Sequence, residues 1–356
     1  MSNLFRIARV EDARRETIEY ALGPLLGYVK DARVQNICFN GGDDGPLFVQ
    51  FVGRVQEQVG TMTRVERERA ITYLATASEP TKAVDETMSR LRCDLPFKLK
   101  GRVQALAPPI DDWVGTIRMH AREVSTLEEY AARGELVIAP RERIVDRTPA
   151  ATPLEAIRAA IRRRDRIFIV GSNGAGKTTT MNTVMLEIAQ QFPADRVALI
   201  QDNRELQGKF ANQIEIMTLV EQIHFEMNGV ISRYEYGWLD ALHDVLRMAI
   251  KRIMWGELRE KYSAEGLLTA SYAGIVDGFV TTLHANSVRH TFTRLEHLLP
   301  RDTPREMIGE FVDFIIYCEE YVDECGVNRY RIADMGRSFG FDPERKQYII
   351  EPAVAA

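Results

Sequence analysis

One stretch limits the fold of this chain more than any other. Residues 166–190, RIFIVGSNGAGKTTTMNTVMLEIAQ, run from an apolar segment through a glycine-rich turn into an amphipathic segment. The turn satisfies the spacing GxxxxGK[ST], and the flanking pattern predicts a strand before it and a helix after it. Gly171, Gly174 and Gly176 let the backbone approach an anion closely, and the N–H groups at the helix start attract it. The stretch therefore predicts a phosphate-binding loop.

The loop also indicates which ligand it holds. Lys177 offers a cation to the β- and γ-phosphates, and the Thr178 hydroxyl is a ligand for Mg²⁺. Since no NKxD-type reader of guanine occurs in the sequence, ATP is the expected nucleotide. A chance match to the motif arises in roughly one chain in a hundred of this size. The residues expected to contact the nucleotide are Gly171, Ser172, Asn173, Gly174, Ala175, Gly176, Lys177, Thr178 and Thr179.

Three later segments place polar residues where predicted strands end. Residues 196–207 give Asp202 and then Glu205, residues 251–260 give Glu257, and residues 279–290 give His284. In a parallel sheet such ends lie beside the phosphate loop, where a carboxylate can orient water or complete a Mg²⁺ shell. Any one of these acids is equally well explained as a surface residue, and His284 alone as a core histidine. Three clusters after one phosphate loop favour a catalytic site.

The two halves of the chain differ in pattern. Segments 33–40, 46–52, 54–60, 91–97, 101–110 and 113–121 read as short strands, and 63–79 and 125–134 as helices. In the first helix Val65, Ile71, Leu74 and Ala75 are expected on one face. We predict an α+β N-terminal domain over 1–134, a linker rich in proline and charge over 135–153, and an α/β domain over 154–356, where strands and helices alternate.

Composition excludes several classes of protein. With 45% hydrophobic and 27% charged residues the chain is a typical soluble globular protein, and no segment approaches the roughly 18 apolar residues of a membrane span. The N-terminus lacks the apolar core of a signal peptide. We therefore expect a cytoplasmic protein, held at a membrane only by partners.

Charge and cysteines argue against nucleic acid and zinc. The net charge is −5, and the dense basic run RRRDR at 162–166 is better explained as a helix end. No sequence-specific nucleic-acid binding is expected. Cys38, Cys93, Cys318 and Cys325 form no CxxC pair, which fits reduced thiols and argues against a zinc site.

Four motifs taken together resemble those of the type II/type IV secretion and pilus ATPases, and most of all the conjugal-transfer, TrbB-like branch. GSNGAGKTT is similar to the Walker A motif, QDNRELQ to the Asp box, WGELR to Walker B and TTLHANS to the His box. GRVQALAPPI, GTIRMHA and STLEEYAARG follow the order of the family in the N-terminal half. The likeness covers about residues 15 to 350 and implies a RecA-like P-loop domain behind a smaller α+β domain.

The resemblance also implies roles. Glu257 would orient the attacking water, Asp202 and Glu205 would supply the Asp box, and His284 would sense the γ-phosphate. Arg118, and less securely Arg102, would reach the nucleotide from the N-terminal domain, with ATP between the two domains of a subunit. The family implies a homo-hexamer at the cytoplasmic face of the inner membrane, acting with secretion-channel components to drive pilus assembly or transfer of DNA or protein.

Three departures from the family pattern stand out. Gln201 replaces the glutamate that usually opens the Asp box, SYAGIVDGF replaces a Thr-Gly-His stretch before the His box, and Trp255 is bulky for a Walker B strand. Slow turnover is one hypothesis that follows. Three alternatives stay open at this point: a type II secretion or type IV pilus ATPase, a DNA translocase, and an adaptor that binds ATP without hydrolysing it.

Overall fold

The structure is a computed structural model of the 356-residue chain. It describes residues 17–79, 84–85, 88–96, 100–120, 126–134, 147–225, 231–272, 274 and 277–355, with backbone alone at 130, 220–225 and 231–234. Most of the predicted linker, 135–146, lies outside the described residues.

The N-terminal half is built on a six-stranded antiparallel sheet with strand order β3-β2-β1-β6-β5-β4. This half contains α1 (Leu25–Lys30), β1 (Val34–Phe39), β2 (Asp44–Phe51), β3 (Gln56–Thr63), α2 (Arg64–Ser78), β4 (Arg90–Asp94), β5 (Gly101–Leu106), β6 (Val114–Met119) and α3 (Leu127–Ala132). Each of the six predicted strands and both predicted helices has its counterpart here.

In helix α2, the local sequence sets the N-terminus of the helix, and tertiary packing determines which of its side chains are buried. The Thr63 side chain accepts from the Glu66 N–H, and the Glu66 carboxylate accepts from the Thr63 N–H, a capping box that satisfies two free donors. Ile71 and Leu74 are buried, as predicted. Val65 is 67% exposed, so its assignment to the buried face was wrong. It lies in the first turn of the helix.

The C-terminal half is built on an eight-stranded sheet with strand order β16-β15-β14-β7-β13-β12-β8-β9. The six strands from β14 to β9 run parallel, and β15 and β16 extend the sheet antiparallel. The elements are α4 (Pro153–Arg163), β7 (Ile167–Val170), α5 (Lys177–Gln191), β8 (Val197–Gln201), β9 (Gln213–Met217), β10 (Val220–Phe225), β11 (Ile231–Tyr236), α6 (Trp238–Val245), β12 (Arg252–Glu257), α7 (Lys261–Tyr272), β13 (Phe279–Leu283), α8 (His290–Leu298), α9 (Arg305–Phe311), β14 (Phe314–Val322), β15 (Asn328–Asp342) and β16 (Gln347–Pro352). The α/β prediction is confirmed.

The central parallel strands are buried on both faces. Every residue of β7, β8 and β13 is buried, as expected for strands covered by helices on two sides. Phe168, Phe279 and Phe311 meet edge-on or tilted on one face, with ring centroids 5.3 to 5.5 Å apart. Such a rigid centre fixes the strand ends that carry polar residues. In the described part of the chain, no helix is long and apolar enough to cross a membrane.

The basic run at 162–166 ends a helix, as predicted. Helix α4 stops at Arg163, and Arg164 follows in the left-handed conformation. Ion pairs join Arg163 to Asp165, Arg164 to Asp195 and Arg166 to Asp313 at 2.6 to 3.0 Å. Three of the four arginines in the run therefore have a carboxylate partner, as expected for a helix end rather than for a free basic patch.

A buried carboxylate joins the two sheets. Asp244, on α6, is fully buried and accepts hydrogen bonds from Arg90, Arg92 and Gln104 of the N-terminal sheet and from the Tyr236 hydroxyl. A second set of contacts lies at strand β9, where the Asn40 amide donates to Asn212 at 2.9 Å, the Met217 N–H donates to the Ile110 carbonyl at 2.9 Å, and the Glu215 N–H donates to Asp111 at 3.0 Å. The N-terminal sheet therefore packs along the β9 edge of the larger sheet. The domain boundaries at 134 and 154 stay predictions.

Candidate active site

The phosphate loop connects the carboxyl end of β7 to the first residue of α5. Gly174 and Gly176 have φ of 75° and 82°, a region that favours glycine. A Cβ on Gly171 would lie 2.4 Å from the Cys318 carbonyl oxygen, and one on Gly176 would lie 2.5 Å from the Tyr330 ring. Glycine is therefore required here by conformation and by space, and the loop keeps a cradle that side chains would fill.

The Lys177 side chain curls back over this cradle. Its Nζ donates to the Ser172 carbonyl at 2.7 Å, and burial lowers its pKa. The Ala175 N–H also donates to the Ser172 carbonyl, at 3.4 Å, which closes the turn. The Thr179 carbonyl accepts from Thr183 within the helix. The ammonium is thus held inside the loop, where phosphate oxygens can replace the carbonyl as its acceptor.

Strand order brings three polar strand ends together next to the loop. Strands β13, β12 and β8 follow β7 in the sheet, so the residues after each of them lie at one edge. Thr282 on β13 donates its hydroxyl hydrogen to the Gly256 carbonyl at 2.8 Å and fixes these two ends relative to each other. The edge carries His284, Glu257 and Asp202, as the sequence predicted.

His284 lies between the loop lysine and Glu257. Its Nδ1 is 3.4 Å from Lys177 Nζ, and its Nε2 is 2.8 Å from Glu257 Oε1. An ammonium only donates, so Nδ1 is the acceptor and the ring proton belongs on Nε2, facing the carboxylate. Burial lowers the pKa of His284, and the nearby Lys177 charge lowers it further. Burial and the Lys177 charge both favour the neutral imidazole.

Glu257 is the most buried carboxylate of this group, with its side chain 14% exposed. Its Oε2 accepts from Arg259 Nε at 2.6 Å. Its Oε1 is buried and lies 2.8 Å from His284 Nε2. A carboxylate fixed in this way beside the phosphate loop suits the orientation of a water molecule.

Arg259 is a site residue that received no role from the sequence. It pairs with Glu257 and reaches Asp202 Oδ2 at 3.5 Å, and the hydrogen bond to Glu257 raises its pKa. Its positive charge therefore offsets the negative charges of both carboxylates. The signal was present in the WGELR motif, but its significance depends on β12 and β8 being neighbours.

The Asp-box loop brings an acid to the first turn of α5. Glu205 Oε2 accepts from the Thr178 hydroxyl at 3.4 Å, and the Glu205 carbonyl accepts from the Asn182 amide at 3.3 Å. A hydroxyl and a carboxylate side by side are the hard oxygen donors that Mg²⁺ prefers. These two donors fit the predicted magnesium ion.

Arg102 and Arg118 do not lie beside the phosphate loop. They face each other across β5 and β6 and line a cavity of about 470 Å³ together with Arg92, Gln104 and Arg247. Arg247 shortly precedes β12, so this cavity lies at the amino end of the parallel strands, whereas the phosphate loop lies at the carboxyl end. Within one chain the structure does not bring these arginines to the phosphate loop.

Comparison with known proteins identifies the family. The sequence profile of the family described as "Type II/IV secretion system protein" matches residues 148–330, which contain the whole strand-end cluster. The chain belongs to this family. A conjugal transfer protein TrbB of Rhizobium radiobacter is 30% identical over 293 residues, which cover 81% of this chain and 80% of that protein. The chain is therefore a type II/IV secretion protein of the conjugal-transfer branch, and the resemblance stated from its motifs is confirmed.

More distant relatives extend the likeness over almost the whole chain. The type IV secretion system protein VirB11 of Brucella suis is 25% identical over 344 residues, covering 89% of each chain. A crystal structure of the VirB11 ATPase of Brucella suis superposes with a TM-score of 0.69 over 93% of this chain and 99% of that one, at 22% identity. The predicted fold, a RecA-like α/β domain with a smaller α+β N-terminal domain, is confirmed by this likeness.

Proposed function

We propose that this protein is the ATP-hydrolysing motor of a conjugative type IV secretion system. One observation carries the proposal: the loop lysine Lys177, His284 and the largely buried Glu257 lie in contact at one sheet edge in a member of a secretion ATPase family. A binding-only adaptor has no need of an oriented carboxylate beside the phosphate loop. The relatives named above are conjugal-transfer and type IV secretion proteins, which favours this machine over type II secretion or pilus assembly.

Each residue has a task that follows from its position. Lys177 and the loop N–H groups bind the phosphates, and Thr178, Glu205 and Asp202 hold Mg²⁺, which neutralises charge at the β- and γ-phosphates. Glu257 orients the attacking water with its carboxylate. His284 lies between Lys177 and Glu257, where it registers whether a γ-phosphate is present.

Hydrolysis by this site is tested with two variants and a control. Lys177→Ala removes the cation at the phosphates and is expected to abolish ATP binding and phosphate release. Glu257→Gln keeps the shape but removes the charge, and is expected to lower phosphate release by about 100-fold or more while ATP still binds. The exposed Lys209→Ala serves as the matched control and should behave like the wild type. Unchanged phosphate release in Glu257→Gln would favour the adaptor.

We further propose a cytoplasmic homo-hexamer, associated with channel components at the inner membrane, in which Arg118 and Arg102 act on the nucleotide of a neighbouring subunit. Support comes from their position: they lie at the opposite edge of the sheet from their own phosphate loop. Within the described residues, no carboxylate forms a hydrogen bond or ion pair with either side chain. Unpaired cations at an outer cavity are suited to a phosphate brought by another chain.

Mixing two inactive variants tests action between subunits. Arg118→Ala and Lys177→Ala proteins are each expected to be inactive. In a mixed ring, an Arg118→Ala subunit keeps its phosphate loop and receives Arg118 from a Lys177→Ala neighbour, so part of the ATPase activity should return. If the arginine serves its own subunit, no site in the mixture is complete and no activity returns. Light scattering with ATP and Mg²⁺ determines ring size.

A further inference from the structure

The side chain of Gln201, at the last position of β8, is buried within a set of hydrogen bonds that the catalytic roles above do not use. It is 2% exposed. Its Oε1 accepts from the N–H groups of Glu205 at 3.0 Å and Leu206 at 2.9 Å. Its Nε2 donates to Glu215 Oε1, on the neighbouring strand β9, at 2.8 Å. All polar atoms of the amide except one N–H hydrogen are therefore engaged.

The orientation of this amide follows from its neighbours. Two N–H donors converge on one side, so the oxygen must face them, and the nitrogen then faces the Glu215 carboxylate. The opposite orientation would place an NH₂ group against two N–H groups and the amide oxygen against a carboxylate. A glutamate at 201 would place two carboxylates 2.8 Å apart, which favours protonation or displacement of one of them.

These hydrogen bonds hold the backbone at Glu205, whose carboxylate approaches Thr178, a proposed magnesium ligand. The two N–H groups held by Gln201 belong to Glu205 and its successor, and Glu205 extends from that point to Thr178 at 3.4 Å. Asn182 of α5 binds the same turn from the other side, through the Glu205 carbonyl and the Gln207 N–H. The turn is therefore held between β8 and α5.

We propose that Gln201 is a positioning residue: its amide, paired with Glu215, fixes the turn that directs Glu205 to Thr178 and the magnesium ion. The inference rests on the proposed ATPase function. It explains why the family glutamate can be replaced here, since Glu215 already supplies a carboxylate at this point. The Glu215 N–H also donates to Asp111 of the N-terminal half at 3.0 Å, so the pair joins this turn to the interface with the N-terminal sheet.

Exchanging the two side chains tests the proposal. Gln201→Glu introduces like charges and is expected to lower kcat by about 10- to 100-fold and to raise the Mg²⁺ concentration needed for half-maximal activity, as loss of an outer-shell partner typically does. Glu215→Gln keeps an acceptor for the Gln201 amide and should stay within about twofold of the wild type. The double variant places a carboxylate at 201 and an amide at 215, restores all three hydrogen bonds, and should recover most of the activity.

Two further measurements keep the outcomes distinct. Thermal unfolding shows that each variant is folded, since a merely structural role would lower Tm without changing the Mg²⁺ requirement. Mg²⁺-dependent binding of a fluorescent ATP analogue measures the effect of Gln201 on the magnesium site without requiring hydrolysis. A wild type that binds the analogue but does not hydrolyse ATP would refute the proposed ATPase function and leave the role of Gln201 testable. Equal Mg²⁺ requirements in wild type and Gln201→Glu would overturn the proposal, as would a double variant no better than Gln201→Glu alone.

Discussion

At the scale of single residues, the two neighbours of His284, which follows β13, decide which ring nitrogen carries its proton. Lys177 can only donate, so the His284 proton must face Glu257. A ligand that draws the ammonium away would change the hydrogen bonding at both ring nitrogens. This contact gives the imidazole a means of registering a γ-phosphate without acting as the base.

Replacing His284 by alanine should separate binding from hydrolysis. ATP affinity is expected to stay within a few-fold, because Lys177 and the loop remain, whereas phosphate release should fall by about 100-fold as Glu257 loses its neighbour. Equilibrium binding and single-turnover phosphate release measure the two effects. The exposed His290→Ala is the control. Loss of ATP binding in His284→Ala would show that the histidine belongs to the binding site itself.

The same variant has a predicted pH signature. Burial and three cations, Lys177, Arg259 and Arg294, lower the pKa of His284, against the attraction of Glu257. Below the ordinary value of about 6.5, the unfolded chain therefore binds a proton that the folded site resists, and stability falls as pH falls. Tm measured from pH 7.5 to 5.5 should fall more steeply in the wild type than in His284→Ala. Parallel curves would contradict the assignment of a lowered pKa.

At the scale of elements, the tryptophan of β12 joins the catalytic strand to a helix. Trp255 is fully buried and stacks on Trp238 of α6 with ring centroids 4.9 Å apart. Its size is one of the three departures from the family pattern, since a tryptophan is bulky for a Walker B strand. The structure provides its space through α6, which lies against that face of the sheet.

Truncating this side chain should destabilise the protein and its site together. Trp255→Ala leaves a large cavity and is expected to lower the free energy of unfolding by about 3–5 kcal/mol. Urea denaturation followed by circular dichroism measures the change. Tyr262, 63% exposed on α7, provides the matched control, since Tyr262→Ala should cost well under about 1 kcal/mol. Comparable losses in both variants would mean that the stacked pair contributes little.

At the scale of the whole molecule, the buried carboxylate of Asp244 holds the N-terminal sheet against the C-terminal half. Asp244 belongs to a helix of the C-terminal half but accepts hydrogen bonds from two arginines and a glutamine of the N-terminal sheet. A fully buried carboxylate is stable only while its partners are present. The position of the N-terminal sheet on the β9 edge therefore depends on this residue.

Removing the acid should uncouple the halves. Asp244→Ala leaves Arg90 and Arg92 without this carboxylate and is expected to cost on the order of 3 kcal/mol. Denaturation should then show two transitions in place of one. The exposed pair Arg158–Glu187 gives the control, because Glu187→Ala should change stability by about 0–1 kcal/mol. A single unshifted transition in Asp244→Ala would exclude this role.

The sequence by itself determined the elements of the N-terminal half, the phosphate loop and the strand ends at which Asp202, Glu257 and His284 lie. The spacing of glycines around Lys177 requires a phosphate loop, and strands that end in Glu257 or His284 must deliver them to one edge of a parallel sheet. These inferences succeed because they depend on local conformation and on the shared direction of the strands. They need no knowledge of which strands are neighbours.

The tertiary structure alone decided how those residues pair. Strand order and packing between distant segments decide that Arg259 reaches Asp202, that Gln201 donates to Glu215, and that Val65 is exposed. Arg102 and Arg118 of the N-terminal sheet are a further example. The family resemblance implied that they contact a nucleotide, but only the structure shows at which end of the parallel strands they lie. Contacts between residues far apart in the chain arise from the closure of the fold, and no local pattern encodes them.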